Sequence, residues 1–257
     1  LFYYCTNHSG MGGQANTPVT NSFSNFSGTI QSNISPNTTS GFSIVKYTGT
    51  GSNATIGHGL GAAPAFIIVK DLSEDNYDWM VYHQSLGATK YIRLNLTSSV
   101  STSTVWQDTA PTNQVFSVVS NSSDVNKSGN NFLAYCFTEK QGYSKFGSFS
   151  GNGSATDGVY IHLGFKAAWF MCKRTNASGH DWVIFNNKAL GYNVDNNTLL
   201  ANSSAVEGTA DRMDILSNGV KMYNNNGSEN ENGGEYIFMA FAENPFTSSA
   251  GTPVTAR

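Results

Sequence analysis

The sequence predicts an all-β chain made of two tandem antiparallel β-sandwich lobes, jelly-roll-like in organisation, produced by an internal duplication. Three observations predict it. A series of motifs recurs in the same order about a hundred residues later. Short apolar runs bounded by Gly, Asn, Ser or Pro occur throughout the chain. Helical periodicity is sustained nowhere beyond about two turns.

The repeat carries the most weight. Gly41-Phe-Ser43 recurs as Gly142-Tyr-Ser144, and Tyr47-Thr-Gly-Thr-Gly51 as Phe149-Ser-Gly-Asn-Gly153. His58-Gly-Leu-Gly61 is echoed by His162-Leu-Gly164. Ala65-Phe-Ile-Ile-Val-Lys70 matches Ala168-Trp-Phe-Met-Cys-Lys173, and Asp78-Trp-Met-Val-Tyr82 matches Asp181-Trp-Val-Ile-Phe185. Residues 129–139 match 233–243. The offset drifts only from 101 residues at Gly41/Gly142 to 104 at Glu139/Glu243. A period of this length exceeds that of solenoids and propeller blades, so each copy is read as one small domain.

The expected organisation follows. Residues 1–13 are a remnant of an upstream domain, and 14–40 form a Ser/Asn/Thr-rich linker with a strand over 21–30. Lobe 1 spans 41–141, lobe 2 spans 142–246, and 247–257 are a tail. Within lobe 1, strands are expected at 42–47, 65–70, 79–83, 90–96, 115–120 and 132–138. Such lobes fit a sandwich of six to eight short strands.

Composition narrows the function classes. Charged residues make up 12% of the chain, about half the usual share. Ser, Thr, Asn and 26 glycines supply the polarity instead, in a pattern suited to turns and outward strand faces. Net charge is −3 and the 14 Lys and Arg are scattered, so no nucleic acid is expected as a partner. No apolar run approaches the roughly 18 residues of a membrane helix, and no membrane insertion is expected. The opening at Leu1 reads as a fragment boundary. Cys136 and Cys172 lie in apolar strand-like runs and are expected to be buried free thiols.

Several residues invite a chemical reading. His58-Gly-Leu-Gly61 is similar to a lipase oxyanion loop, but no Gly-x-Ser-x-Gly nucleophile elbow follows. Its glycines are read as turn formers. Asp71, Glu74, Asp75 and Asp78 cluster as hard-oxygen calcium ligands would. Lobe 2 keeps only Asp181 of them, so a solvated hairpin loop is the favoured reading. Trp79, Trp169 and Trp182 lie in repeated apolar runs and are assigned to the core. Trp106 has no counterpart and is expected to be exposed. With Asp71 and Asp75 it forms the expected glycan- or receptor-binding set. His58/His162, Trp79/Trp182 and Asp78/Asp181 are shared by both lobes and are assigned to folding, leaving recognition to unshared loops. No catalytic residue, metal or cofactor is expected.

Two resemblances add to this reading. Cys5-Thr-Asn-His8-Ser-Gly-Met11 resembles the copper loop of cupredoxins, in which Cys, His and Met ligate one copper. Cys5, His8 and Met11 would be those ligands, but the second histidine and the remaining strands would have to precede Leu1. The segment is read as the last strand and loop of a truncated domain, without metal. Gly41-Phe-Ser-Ile-Val-Lys-Tyr-Thr-Gly-Thr-Gly51, Gly57-His-Gly-Leu-Gly61, Phe66-Ile-Ile-Val-Lys70, Trp79-Met-Val-Tyr-His83 and Ala240-Phe-Ala-Glu-Asn-Pro-Phe246 resemble a second family. It is an uncharacterised tandem-repeat domain of tail-fibre-like structural proteins in marine bacteriophages, including those of cyanobacteria and Pelagibacter. The string from Tyr3 to Gly13 recurs upstream of it in similar proteins. The resemblance implies a virion protein, distal and surface-exposed, that assembles as a homotrimer with other virion proteins and meets a host-surface glycan. The alternatives are a secreted glycan-binding β-sandwich or a self-assembling extracellular filament subunit.

Overall fold

A computed structural model describes residues 2–4, 12–14, 22–189, 193, 197–210 and 212–244. Among these residues every regular element is a strand, and every ladder between strands is antiparallel. A short hairpin of β1 (Phe2–Tyr4) and β2 (Gly12–Gln14) comes first. The first lobe then runs through β3 (Phe23–Asn25), β4 (Ser32–Asn37), β5 (Phe42–Thr48), β6 (Ala54–Gly57) and β7 (Phe66–Asp71). It continues with β8 (Met80–His83), β9 (Lys90–Arg93), β10 (Ser101–Thr102), β11 (Val115–Val118) and β12 (Asn131–Phe137). The second lobe holds β13 (Ser144–Ser150), β14 (Tyr160–His162), β15 (Ala167–Arg174), β16 (Trp182–Asn186) and β17 (Thr198–Leu200). It ends with β18 (Met213–Leu216), β19 (Gly219–Met222) and β20 (Glu235–Ala242).

The duplication is visible in the strand order. The large sheet of the first lobe reads β10-β9-β8-β7-β12-β5-β4-β3, and that of the second reads β13-β20-β15-β16-β17. The series β5-β12-β7-β8-β9 and β13-β20-β15-β16-β17 are therefore the same arrangement. Each lobe also has a small sheet, β11-β6 in the first and β14-β19-β18 in the second. The copies differ in packing but preserve volume. Val45 faces Ala134 in the first lobe, whereas Gly147 faces Phe238 in the second. A Cβ on Gly147 would lie 2.8 Å from the Phe238 ring, so the larger ring requires the missing side chain.

Side-chain alternation assigns the layers. Ile67 and Val69 of β7, Val45 and Tyr47 of β5, and Ile56 and Phe116 of the small sheet form the first core. Phe170, Cys172, Phe238, Ile161 and Val220 belong to the corresponding second core. The opposite faces of the two large sheets meet in a third cluster, where Phe66, Val81 and Ile92 pack against Phe146, Met171, Trp182 and Ile237. The order is thus small sheet, large sheet, large sheet, small sheet. Strands covered on both faces are apolar at successive positions, which is why the runs around Phe66 and Phe170 read as continuous. Cys136 and Cys172 are free and buried, as expected.

Hydrogen bonds cross the seam between the lobes. Trp182 Nε1 donates to Arg93 O (2.8 Å), and Val100 N donates to Thr175 O (3.0 Å). His83 Nε2 bonds Phe238 O (3.1 Å). Among the described strands β13 is an edge, whereas its counterpart β5 is covered by β4. Side chains close the exposed side of β13 at Phe146: Glu139 Oε2 accepts from its N–H (3.3 Å), and Gln84 Nε2 donates to its C=O (2.8 Å).

The expected linker over 14–40 is corrected in its described part. The expected strand over 21–30 is present at residues 23–25, and a second strand at 32–37 joins it, both extending the first large sheet. Ile30 and Ile34 are buried in the first core, and Ser32 Oγ donates to Gly57 O (2.8 Å). Two isoleucines among many Ser and Asn residues suffice to anchor the segment, although its mean composition is that of a linker. The Cys5, His8 and Met11 triplet and the 247–257 tail lie outside the described residues.

Candidate functional site

The two lobes repeat a polar framework residue by residue. Asn95 Oδ1 accepts from Trp79 N (3.0 Å) while its Nδ2 donates to Asp78 Oδ1 (2.9 Å). Asn202 does the same for Trp182 N and Asp181 Oδ1, at 2.7 Å each. Lys70 Nζ donates to Tyr77 O (2.6 Å), and the fully buried Lys173 donates to His180 O. Burial lowers the Lys173 ammonium pKa to about 8. These groups hold each β7–β8 or β15–β16 loop against its sheet. The assignment of Asp78 and Asp181 to folding agrees with these bonds.

A second duplicated pair was not singled out in the sequence. Asn126 and Asn230 are fully buried, 104 residues apart, three positions before Gly129 and Gly233. Asn126 Oδ1 accepts from Thr50 N (3.0 Å), and Nδ2 donates to Ser52 O (2.6 Å) and Val119 O (3.0 Å). Asn230 accepts from Asn152 N (3.0 Å) and donates to Ser154 O (3.2 Å) and Asn224 O (2.7 Å). Each asparagine is the hub of a loop junction. The sequence signal is positional: each asparagine stands three residues before the first glycine of a matched motif, Gly129 or Gly233.

The histidine pairing is corrected. In the ladders, Ile56 faces Phe116 and Ile161 faces Val220, so His162 corresponds to Gly57 rather than His58. A one-residue slip reverses the face. His58 is buried, accepting from Leu60 N at Nδ1 (3.2 Å) and bonding Thr112 O through Nε2 (3.1 Å). His162 is exposed, with its Nδ1 3.3 Å from Tyr160 Oη.

The expected receptor set does not form one surface. Trp106 is 2% exposed, packed edge-on to Tyr82 inside the first core. Consecutive left-handed residues, Gln107 (φ 54°) and Asp108 (φ 49°), turn the chain so that the indole points inward. Trp106→Ala should cost about 3–5 kcal/mol. Chemical denaturation checks this; an unchanged midpoint would restore Trp106 to the surface. Asp71 is buried too. Its Oδ1 accepts from Ser73 N (2.7 Å) and Glu74 N (3.3 Å), and its Oδ2 from Asn130 Nδ2 (2.7 Å). It caps its own loop. Asp75 is exposed in that loop, whereas the Trp106 indole lies inside the core.

The unshared charges at this end exchange sign between lobes. Asp71 and Lys127 in the first lobe correspond to Arg174 and Glu231 in the second, at offsets of 103 and 104. Lys127 pairs with Glu74, whose carboxyl is lowered by Asn130 and then Lys127. Arg174 pairs with Glu231, and its Nη1 also lies 3.2 Å from His180 Nε2. The buried Glu229 pairs with Arg212 at 2.6 Å, and burial raises its carboxyl pKa. Its counterpart in the first lobe, Val125, is a core side chain. Burial raises both described thiols, which makes them poor nucleophiles. The four described histidines direct their bonds to backbone groups, to Arg174 and to Tyr160, and none faces a serine hydroxyl or a thiol. Among the described residues no group of three or more His, Cys, Asp or Glu could hold a metal. No helix there is long and apolar enough to cross a membrane.

Fold and framework together define a duplicated all-β protein whose conspicuous polar residues organise loops. The chain belongs to the DUF7483 family, a domain of unknown function, which matches residues 15–245. No curated protein and no solved structure matches it.

Proposed function

We propose that this chain is a non-catalytic structural protein of a bacteriophage virion. In this reading it is an exposed part of a tail fibre or similar appendage, assembles as a homotrimer with other virion proteins, and contributes to attachment at a host-surface glycan. The observation that carries the reading is the closed polar framework. Asp71, Asp78, Asp181, His58, Lys173 and the two hub asparagines are each committed to holding loops or strands. That leaves the outer surfaces for recognition. The five motif strings resembling tail-fibre-like proteins supply the virion context. The glycan-binding alternative loses its anchor with Trp106 inside the core.

Immunogold microscopy of lysates from the source, with an antibody raised against this chain, tests the assignment. Label on an appendage of intact particles is the expected result. Label confined to cell envelopes or to free filaments overturns it. Light scattering should give three times the chain mass; a monomer overturns the trimer.

A further inference from the structure

We infer that Asn232 is a site of self-modification, where the backbone nitrogen of Gly233 converts the side-chain amide to a succinimide that water opens to aspartate or isoaspartate. The reaction needs no partner but water. A bond forms between Gly233 N and Asn232 Cγ, the bond from Cγ to the amide nitrogen breaks, and ammonia leaves with the Gly233 amide proton. Water then splits the ring on one side or the other. Cleavage at Cγ leaves aspartate, and cleavage at the backbone carbonyl carbon leaves isoaspartate, with the chain running through Cγ.

Asparagine is followed by glycine at four places, Asn152, Asn218, Asn226 and Asn232. A glycine leaves its nitrogen open to this attack and its peptide free to turn. The structure separates the four. Asn152 Oδ1 accepts from Ser154 N (3.0 Å) and from Asn230 Nδ2 (3.1 Å), and its Nδ2 donates to Asp157 O (2.9 Å). Asn218 Oδ1 accepts from Tyr160 Oη (2.7 Å), and Asn226 Oδ1 accepts from Ser228 N (2.8 Å). Each of these amides must break a bond before it can swing toward the next nitrogen. Asn232 is exposed, and nothing bonds its amide among the described residues.

The glycines divide in the same way. A Cβ on Gly153 would lie 2.8 Å from Asn232 Cβ, one on Gly219 2.3 Å from Ile161 O, and one on Gly227 2.4 Å from His180 Cε1. Around Gly233 it would meet nothing within 4 Å. Asn232 and Gly233 are the two central residues of a turn closed by Gly234 N donating to Glu231 O (2.9 Å), with Gly233 at φ 74°. The attacking nitrogen is held by one long bond, to Gly151 O (3.2 Å). Uncrowded backbone and an unbonded amide therefore coincide at this step alone.

The first lobe has the same turn without the chemistry. Asn130 N donates to Lys127 O (3.2 Å), Gly129 has φ 82°, and Ser128 stands where Asn232 does. A serine has no amide to close the ring. In the second lobe, isoaspartate would add a methylene to the backbone between the hub Asn230 and β20, and a carboxylate beside Glu231, the partner of Arg174. It would also disturb the bond from Gly151 N to Gly234 O (2.8 Å) that ties this turn to the end of β13.

Incubation of the full chain in mildly alkaline buffer, followed by peptide mapping with fragmentation, tests the proposal. In the folded chain, conversion at Asn232 should run at least about tenfold faster than at the other three sites, which wait on a local opening. In urea the four rates should converge. The urea midpoint of the incubated parent should fall, whereas that of Asn232→Ser, which carries the first lobe's residue, should hold over the same period. A faster site among Asn152, Asn218 and Asn226, or equal rates in the folded chain, overturns the assignment. The same bias persisting in urea would show that the folded structure does not choose the site. An equal fall of the midpoint in Asn232→Ser would show that the loss of stability arises elsewhere.

Discussion

Acidification from pH 7 to pH 4 is expected to remove about 3 kcal/mol of stability through His83 alone. The ring is fully buried at the seam between the lobes. Ser85 N donates to its Nδ1 (3.1 Å), so the neutral ring must carry its proton on Nε2, which donates to Phe238 O (3.1 Å). A second proton would set Nδ1–H against the Ser85 N–H. Burial accordingly lowers the pKa from 6.5 to about 4, and no charged side chain contributes to the shift. The unfolded chain therefore binds the proton first as pH falls. The His83 contribution is complete above pH 6.5, declines between 6.5 and 4, and is gone below that. His58, with the same donor–acceptor pattern, is lowered in the same direction. Denaturant midpoints measured from pH 7.5 to 4 should fall more steeply for the parent chain than for His83→Gln. Parallel curves would show that the proton acts elsewhere.

Removing either hub asparagine should be comparably damaging. Asn126→Ala removes the buried amide that ties Thr50 N, Ser52 O and Val119 O together at the junction. A loss of about 1–3 kcal/mol is expected. Asn126→Asp should be worse than alanine, because it turns an acceptor toward two carbonyl oxygens. Asn230→Ala and Asn230→Asp should follow the same order. Equilibrium unfolding in urea measures all four; an aspartate variant as stable as the parent would show that the amide donors are dispensable.

Much of the fold was legible because the repeat places equivalent strands without knowledge of their partners. The expected strands at 42–47, 65–70 and 132–138 coincide with β5, β7 and β12 to within a residue or two. Which face of Phe66 or Phe170 meets the other lobe was not legible, since a strand covered on both sides reads as a uniform apolar run. The strand expected over 21–30 is present as β3, whereas β4 is hidden in the sequence because its anchors, Ile30 and Ile34, are two isoleucines in a polar stretch. Trp106 was misplaced for a different reason: absence from the second lobe does not imply exposure, and this indole fills a core its counterpart fills otherwise.

The closure of β13 bears on how the chain is made. An open strand edge in a newly formed sheet is a template for pairing with other nascent chains. Both side chains that cover Phe146, Gln84 and Glu139, precede it in sequence, and Gln84 belongs to the other lobe. During synthesis from the N-terminus, the first lobe and its stopper are therefore complete before β13 leaves the ribosome. The order of the lobes is thus itself a protective device: the second sheet emerges onto a surface already shaped to shield its edge.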